Sequence, residues 1–430
     1  MLKSILIYFL RILSKRIIYK YSPDVVGITG SIGKTTTKES AAAVLSCRFN
    51  VRWNVKNYNN EIGVPLTIIG FDKSPGKSIF GWLKVFGTAL HLLVVRSRSY
   101  PDILVLEMGA DKPGDIKYLT EIAPCKVGVL TFISHAHTEF FKTIKKIAQE
   151  KRIIISHLER DGFAVLNFDN ELVMENLDKT KAEVITYGLK NGADLLASDI
   201  NLILDSLKPE LGGINFKISY HGSIVPAFLP GVVAEHLVPS ALAGIAIGLV
   251  FGVNLVDGVE ALKRLKPVAG HMCLIAGIKG TLIIDDTYNS SPEPVKSALK
   301  TLANLPLDNG GERYAVLGDM LELGPETENA HREVGLAVAE DGVDFLITVG
   351  QASKLTAQSA REAGLKEHQV ASFADSVSAG RFLQEKLDPH DIVLVKGSQG
   401  IRMEKIVKEV MAEPEKAEEL LVRQGQEWMG

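Results

Sequence analysis

The chain has 430 residues, of which 46% are hydrophobic and 23% charged, with a formal net charge of −3. This length allows two or three domains with sizeable cores, and the slight acidity excludes a global basic field that would hold the protein on nucleic acid. The three cysteines, Cys47, Cys125 and Cys273, lie far apart. They form neither a disulfide framework nor a metal-ligand spacing, which points to a reducing, cytoplasmic compartment.

The first segment, MLKSILIYFLRILSKRIIYKY, carries five basic residues and no acid. Its longest apolar run, residues 5–10, is far short of the ~20 residues a membrane span needs. Two readings stand for residues 1–23. One is a basic amphipathic helix on the inner face of an anionic membrane. The other is a helix packed on its own domain, because the charges do not gather on one face.

From residue 24 to about 190, strands and helices alternate. VVGIT (25–29), ILVLE (103–107), VGVLTFI (127–133) and GFAVLNF (162–168) are apolar strands. Residues 34–46 and 142–158 are helical between them, a pattern that predicts a mostly parallel sheet with both faces covered. Residues 78–100, SIFGWLKVFGTALHLLVVRSRSY, are apolar with Lys77, Arg96 and Arg98 at the flanks. They predict a buried helix, or else a patch that joins residues 1–21 against membrane or a lipid-linked substrate.

Residues 192–230 alternate apolar and polar, an antiparallel patch. Residues 238–253 read as a buried helix rich in small side chains. A second α/β alternation follows, with strands in GTLIIDDTY, RYAVLGDM, DFLITVG and DIVLVKGS, as in a Rossmann-like domain. The chain ends in a charged tail or surface helix. The expected domains are 1–23, 24–267 and 268–430: a basic helix, a central α/β domain with a mostly parallel sheet, and a C-terminal Rossmann-like α/β domain.

The stretch GITGSIGKTTTKES carries the chemistry. Strand 25–29 leads into Gly30, Ser31, Ile32, Gly33, Lys34, Thr35 and Thr36, which open a helix. Backbone N–H groups of such a turn hold anionic oxygens, the lysine reaches the terminal phosphates, and the hydroxyl holds Mg²⁺. The strict phosphate-loop pattern asks for glycine at 28, where this chain has Ile28; the glycine lies at 27. A bland rival, a Gly/Thr-rich turn before a capped helix, explains the glycines but not the G-K-T-T-T run.

Phosphate loops serve many classes. DKPG (111–114) has the shape of a GTPase switch, but no guanine-reading N-K-x-D segment occurs. Glu107 ends an apolar strand, the position of a Mg²⁺ ligand in nucleotide sites. His137 lies just past strand 127–133, where α/β sheets hold their ligand crevice. Lys151 taken alone is a solvated helical lysine.

Seven segments occur in an order that resembles the Mur ligases: GITGSIGKTTTKE, NYNNEIGVPLT, LEMGADKPGDIKYLTEIAP, AHTEFF, IDDTYNSSPEPVKSAL, LGDMLELG and VKGSQG. The resemblance runs from about residue 24 to 410. It implies ATP-dependent amide-bond formation in cell-wall precursor synthesis through an acyl phosphate, and is strongest toward the branch that adds D-alanyl-D-alanine to a UDP-N-acetylmuramoyl-tripeptide. The implied partners are thus small nucleotide-sugar peptides and a dipeptide, with ATP and Mg²⁺; a monomer is expected.

The resemblance also implies roles. Lys34 stabilises the transferring phosphoryl group. Thr35 and Glu107 hold one Mg²⁺, and His137 binds a second. Lys151 matches the family's carbamylated lysine. Asp285, Asp286, Tyr288 and Asn289 help hold the nucleotide from the C-terminal side, Lys396 and Ser398 lie where the C-terminal domain closes, and Asn59 and Asn60 lie near the acceptor peptide. Asp285, Asp286, Asn59 and Asn60 are also good turn formers.

Three departures from the family pattern accompany it. Only 26 residues precede Gly27, too few for the domain that binds the UDP part of the acceptor, so another surface, a partner chain or a different acceptor is expected. His271 stands where an arginine near ATP is usual. Leu237 and Ser240 stand where asparagines are usual. Two alternatives therefore remain: a Mur-like ligase with another acceptor or amine, and a nucleotide-binding scaffold that no longer ligates.

Overall fold

A computed structural model describes residues 2–55, 58–134, 141, 143–204, 208, 211–307, 310–425 and 428. The chain forms two compact units. The first comprises residues 1–199, 216–227 and 237–265; the second comprises 200–215, 228–236 and 266–430.

The first unit opens with α1 (Leu2–Tyr21), β1 (Asp24–Thr29), α2 (Lys34–Leu45), β2 (Val51–Trp53), α3 (Gly63–Ile69) and α4 (Ile79–Val94). It continues through β3 (Ile103–Glu107), α5 (Asp115–Ile122), β4 (Val127–Leu130), β5 (Phe163–Asn167) and β6 (Glu183–Gly188). Strands β7 (Leu195–Ile203), β8 (Gly213–Tyr220) and β9 (Ser223–Pro230) complete a sheet of order β2-β3-β1-β4-β5-β6-β7-β8-β9. Strands β1 to β7 pair in parallel. Every residue of β3 and β4 is buried, which is why their sequences are unbroken apolar runs rather than alternating ones. The connections that leave β1 and β3 run in opposite directions along the sheet, to β2 and to β4, and so open a crevice at their carboxyl ends.

Several elements differ from expectation for identifiable reasons. The strand expected over 127–133 ends at Leu130, because the next residues bend to bond the loop after β1: the Ser31 N–H donates to the Phe132 carbonyl at 2.6 Å. The helix expected over 142–158 appears as Ile144–Lys151 and Ile153–Ser156, separated at Arg152. Strands β2 and β6, absent from the sequence reading, extend the sheet. The helix Val238–Val250 is buried as expected, and its glycines permit a close crossing with α2. A Cβ on Gly244 would lie 2.7 Å from Ser40 Cβ, and one on Gly248 would lie 2.4 Å from Val44.

Helix α4 is the main departure. Its Ser78 cap accepts the Gly81 N–H at 3.1 Å, but only Val85, Ala89 and Leu92 are buried. Trp82, Phe86 and Leu93 pack partly against the core, and Ile79, Phe80, Leu83, Leu90 and Val94 are exposed.

The second unit contains β10 (Cys273–Ala276), β11 (Leu282–Asp286), β12 (Arg313–Gly318), β13 (Phe345–Val349), β14 (Val370–Phe373) and β15 (Ile392–Lys396). Their order is β10-β11-β15-β12-β13-β14, with β10 antiparallel and the others parallel. The four strands expected from sequence are β11, β12, β13 and β15; β10 and β14 flank them. The charged C-terminal stretch is anchored rather than loose. Ala417 and Leu421 are buried, and Arg423 donates to the Thr287 carbonyl at 3.0 Å and to Glu404 at 3.0 Å.

Candidate active site

The site is built where β1 gives way to α2. Gly33 sits at φ 83° as the residue before the helix, a left-handed conformation that glycine adopts without steric cost. At Gly30 the constraint is space: a Cβ would lie 1.9 Å from Thr131 Oγ1. That hydroxyl is itself committed, donating to the Ile32 carbonyl at 2.6 Å. The loop is therefore clamped from the end of β4, while the first N–H groups of a 12-residue helix remain without intrahelical partners.

Two lysines converge on one carbonyl. Lys34 Nζ donates to the Gly30 carbonyl at 2.9 Å and to that of Ser31 at 3.3 Å. Lys151 Nζ reaches the same Gly30 oxygen at 2.8 Å. Burial pulls the Lys34 ammonium below the usual lysine range, against the opposing pull of Glu107 and Asp111. Lys151 is also lowered, to about 7, through burial and then the adjacent Lys34 charge. Its neighbour Glu150 fixes its place: the two carboxylate oxygens accept the Gly114 and Ile116 N–H groups at 2.8 Å each, capping α5. Lys34 beside free helix N–H groups makes an anion receptor, and Lys151 adds an amine poised near neutrality at the same carbonyl.

The opposite charge comes from β3. Glu107 is 2% exposed. Its Oε2 accepts from Thr35 Oγ1 at 2.9 Å and its Oε1 from Asn59 Nδ2 at 3.0 Å. Its backbone is held by Asn54, whose Oδ1 accepts the Glu107 N–H at 2.8 Å and whose Nδ2 donates to the Glu107 carbonyl at 3.0 Å. Fully buried Lys38, one turn after Lys34, places Nζ 3.9 Å from Glu107 Oε2 and 3.2 Å from Glu39.

Of the residues expected from sequence in this unit, Lys34, Thr35, Glu107, Lys151 and Asn59 come together. Asn60 turns away from them and caps the following turn, its Oδ1 accepting the Ile62 and Gly63 N–H groups at 3.1 and 2.9 Å. Ser240, near the loop, donates to the Gly33 carbonyl at 3.4 Å. His137 lies outside the described residues. Asn54, Lys38 and Glu150 were missed. Their roles depend on which backbone ends lie beside them, and no local spacing reports that; Asn54 follows β2, a strand too short to be read from sequence.

In the second unit, fully buried Asp285 braces a loop. It accepts the Gly270 N–H at 3.0 Å, the Thr287 N–H at 3.2 Å and the Thr287 hydroxyl at 2.6 Å, and burial pushes its carboxyl up to about 6. Asp286 pairs with Lys396 at 2.7 Å, and Lys396 also donates to the Asn289 carbonyl at 2.9 Å. Ser398 Oγ donates to the Ser290 carbonyl at 3.4 Å and accepts the Leu321 N–H at 2.9 Å. The His271 ring lies 4.4 Å from that of Tyr288, and its Nδ1 is 3.0 Å from the Ala269 carbonyl. Arg423 lies over the other side of this corner, bonding the Tyr288 carbonyl.

Comparison with known proteins adds independent findings. Residues 28–80 and 86–248 match the Mur ligase middle domain, and residues 270–399 match the Mur ligase glutamate ligase domain. The UDP-N-acetylmuramoyl-tripeptide–D-alanyl-D-alanine ligase of Bacillus subtilis is 29% identical over 94% of this chain and 79% of its own length. That of Synechocystis sp. is 31% identical over 92% of this chain and 76% of its own. Among solved structures, the MurF ligase of Thermotoga maritima in complex with ADP superposes with a TM-score of 0.77 at 27% identity, over 95% of this chain and 84% of that one.

Proposed function

The chain belongs to the Mur ligase family, and we propose that it joins D-alanyl-D-alanine to the carboxylate of a UDP-N-acetylmuramoyl-tripeptide at the expense of ATP. It is an ATP-dependent ligase that forms an amide bond. The substrates proposed are those in the names of the relatives in Bacillus and Synechocystis. The observation that carries the reading is the convergence of Lys34 and Lys151 on the Gly30 carbonyl beside the Thr35–Glu107 pair. This arrangement receives a polyphosphate and can bear the charge that moves during phosphoryl transfer.

The chemistry follows from the weakness of a carboxylate as an electrophile. A carboxylate oxygen of the acceptor attacks the γ-phosphorus, and ADP leaves. The amine of the dipeptide then attacks the acyl carbon and loses a proton, and phosphate departs with the C–O electron pair. Lys34, at the loop, neutralises charge on the transferring oxygens, and the loop N–H groups orient the phosphates.

The residues fit a Mg²⁺ ion. Thr35 and Glu107 offer hard oxygen donors 2.9 Å apart, too few to cage a cation, which suits an ion that keeps water and substrate phosphates as ligands. When bound, Mg²⁺ supplies positive charge to the phosphoryl oxygens. Lys151 is proposed as the carbamylated lysine of the site. Its buried amine with a pKa near neutrality supports this, because only a neutral amine adds to CO₂. In the second unit, Asp286, Tyr288, Asn289, Lys396, Ser398 and His271 are proposed to serve the nucleotide and substrate side, with Asp285 as their brace.

Mass spectrometry of the reaction products tests the proposal. UDP-N-acetylmuramoyl-tripeptide incubated with D-alanyl-D-alanine, ATP and Mg²⁺ gains the mass of the dipeptide less water. An unchanged acceptor under conditions where the protein binds ATP would reject this substrate pair.

A further inference from the structure

The two N-terminal helical segments are unusual together. Helix α1 is tied to α4 by Lys20, which donates to the Leu92 and Leu93 carbonyls at 2.8 and 2.9 Å, and by Tyr21, whose hydroxyl is 3.0 Å from the Leu92 carbonyl. These contacts satisfy carbonyls at the end of α4 with a cation, as a helix C-terminus prefers. Leu10 and Ile17 of α1 and Val85, Ala89 and Leu92 of α4 pack into one core. The two helices therefore pack side by side on that core, and each keeps one exposed face.

Those outward faces are apolar. On α1, Ile5, Tyr8, Phe9 and Tyr19 are exposed; on α4, Phe80, Leu83, Leu90 and Val94 are exposed, Phe80 by 85% and Val94 by 82%. The spacings follow the helical period on each helix. Scattered apolar residues need no explanation, but two adjacent stripes of this size mark an interaction surface.

The charge around the stripes identifies the occupant. Residues 1–23 contain five basic side chains and residues 73–101 another five, and neither segment contains an acid. Since the whole chain carries −3, the rest of the protein is strongly acidic. Lys3 and Arg11 pair with Glu61 and Glu121. Lys15, Arg16, Lys77, Lys84, Arg96 and Arg98 have no ion pair among the described residues. Cations segregated beside aromatic and aliphatic side chains complement a surface with anionic headgroups over hydrocarbon. Among the described residues no helix is long and apolar enough to cross a membrane, so the helices would lie on the surface, not span it.

We propose that α1 and α4 form a platform that seats the protein on an anionic lipid bilayer. Phe80, Leu83 and Phe9 enter the headgroup boundary while the lysines and arginines face the lipid phosphates. Among the described residues, none of Phe9, Phe80, Leu83, Lys84 and Arg96 makes a hydrogen bond or ion pair with Lys34, Thr35, Glu107 or Lys151, so seating and chemistry can be tested separately.

Co-sedimentation with vesicles tests this. The protein is spun with vesicles of phosphatidylcholine alone and with vesicles containing about one third phosphatidylglycerol. Binding is expected to be at least tenfold tighter to the anionic vesicles and to weaken on going from about 0.05 to 0.5 M salt. The substitutions Lys84→Gln and Arg96→Gln should each weaken it about fivefold, and Phe9→Glu with Phe80→Glu should abolish it. All four positions are at the surface, so circular dichroism and phosphate release in solution should stay at wild-type values. Equal binding to neutral vesicles, no binding to either, or binding unchanged in the Phe9→Glu/Phe80→Glu protein would overturn the proposal. So would a dimer in solution that Phe80→Glu separates, because the face would then belong to a second copy of the chain.

Discussion

Replacing Glu107 by glutamine removes a buried negative charge and almost no volume. At 3.9 Å from Lys38 Nζ, the lost attraction amounts to about 4 kcal/mol with an effective dielectric of 20. Part of this is retained elsewhere. Glu39 still faces Lys38 at 3.2 Å, and a glutamine side chain can keep one acceptor for Thr35 or Asn59. The net loss of stability should therefore be about 2 to 3 kcal/mol, below the 3 to 5 typical when a buried charge loses its sole partner. Urea unfolding followed by fluorescence measures it; Trp53 reports near the site, since its Nε1 donates to Glu39 at 3.1 Å. Phosphate release should fall together with stability, by about 10² to 10³. A midpoint shift equivalent to less than about 0.5 kcal/mol would refute the reasoning, because Lys38 and Glu107 would then not depend on each other.

Further perturbations separate the parts of the site. Gly30→Ala forces a methyl group against Thr131 Oγ1; ATP affinity measured by calorimetry should drop at least tenfold, while Gly87→Ala, where a Cβ would have nothing within 4 Å, should leave affinity unchanged. Asp285 has a folded pKa near 6 against an ordinary value of 3.8, so the folded state holds the extra proton between these values. Its contribution therefore falls as pH rises from about 4 to 6 and is flat above; Asp285→Asn should remove that slope from a series of unfolding midpoints. For Lys151, ¹³C NMR with labelled bicarbonate should show a carbamate signal that grows as pH rises through 7 and is missing in Lys151→Ala.

The sequence was most informative where chemistry and backbone are local. The strands 103–107 and 25–29 are continuous apolar runs that only a doubly covered sheet can bury, and the glycines, Lys34 and Thr35 sit on consecutive positions of one turn. It was least informative where partners are distant. Strand β2 is three partly buried residues, VRW, too short for any period, and β14 alternates weakly. The end of β4 at Leu130 depends on a hydrogen bond to Ser31, about a hundred positions earlier. The outward face of α4 is illegible because an apolar helix reads the same whether protein or another phase covers it. Glu150 looked like one more charge in AQEKR, and only the fold shows that it caps α5 and so places Lys151. Conversely Asn60 and Asp285, singled out by their neighbours in sequence, have their oxygens committed to backbone N–H groups in turns.

The central claim is that one loop and its two lysines drive a ligation that needs both an acceptor and an amine. Phosphate release from Mg-ATP tests it directly, with UDP-N-acetylmuramoyl-tripeptide and D-alanyl-D-alanine added singly and then together, for the native chain and for Lys34→Ala. The account predicts sustained release only with both substrates present, and none above background in the variant. Release that ignores either substrate, or that survives in Lys34→Ala, would contradict it.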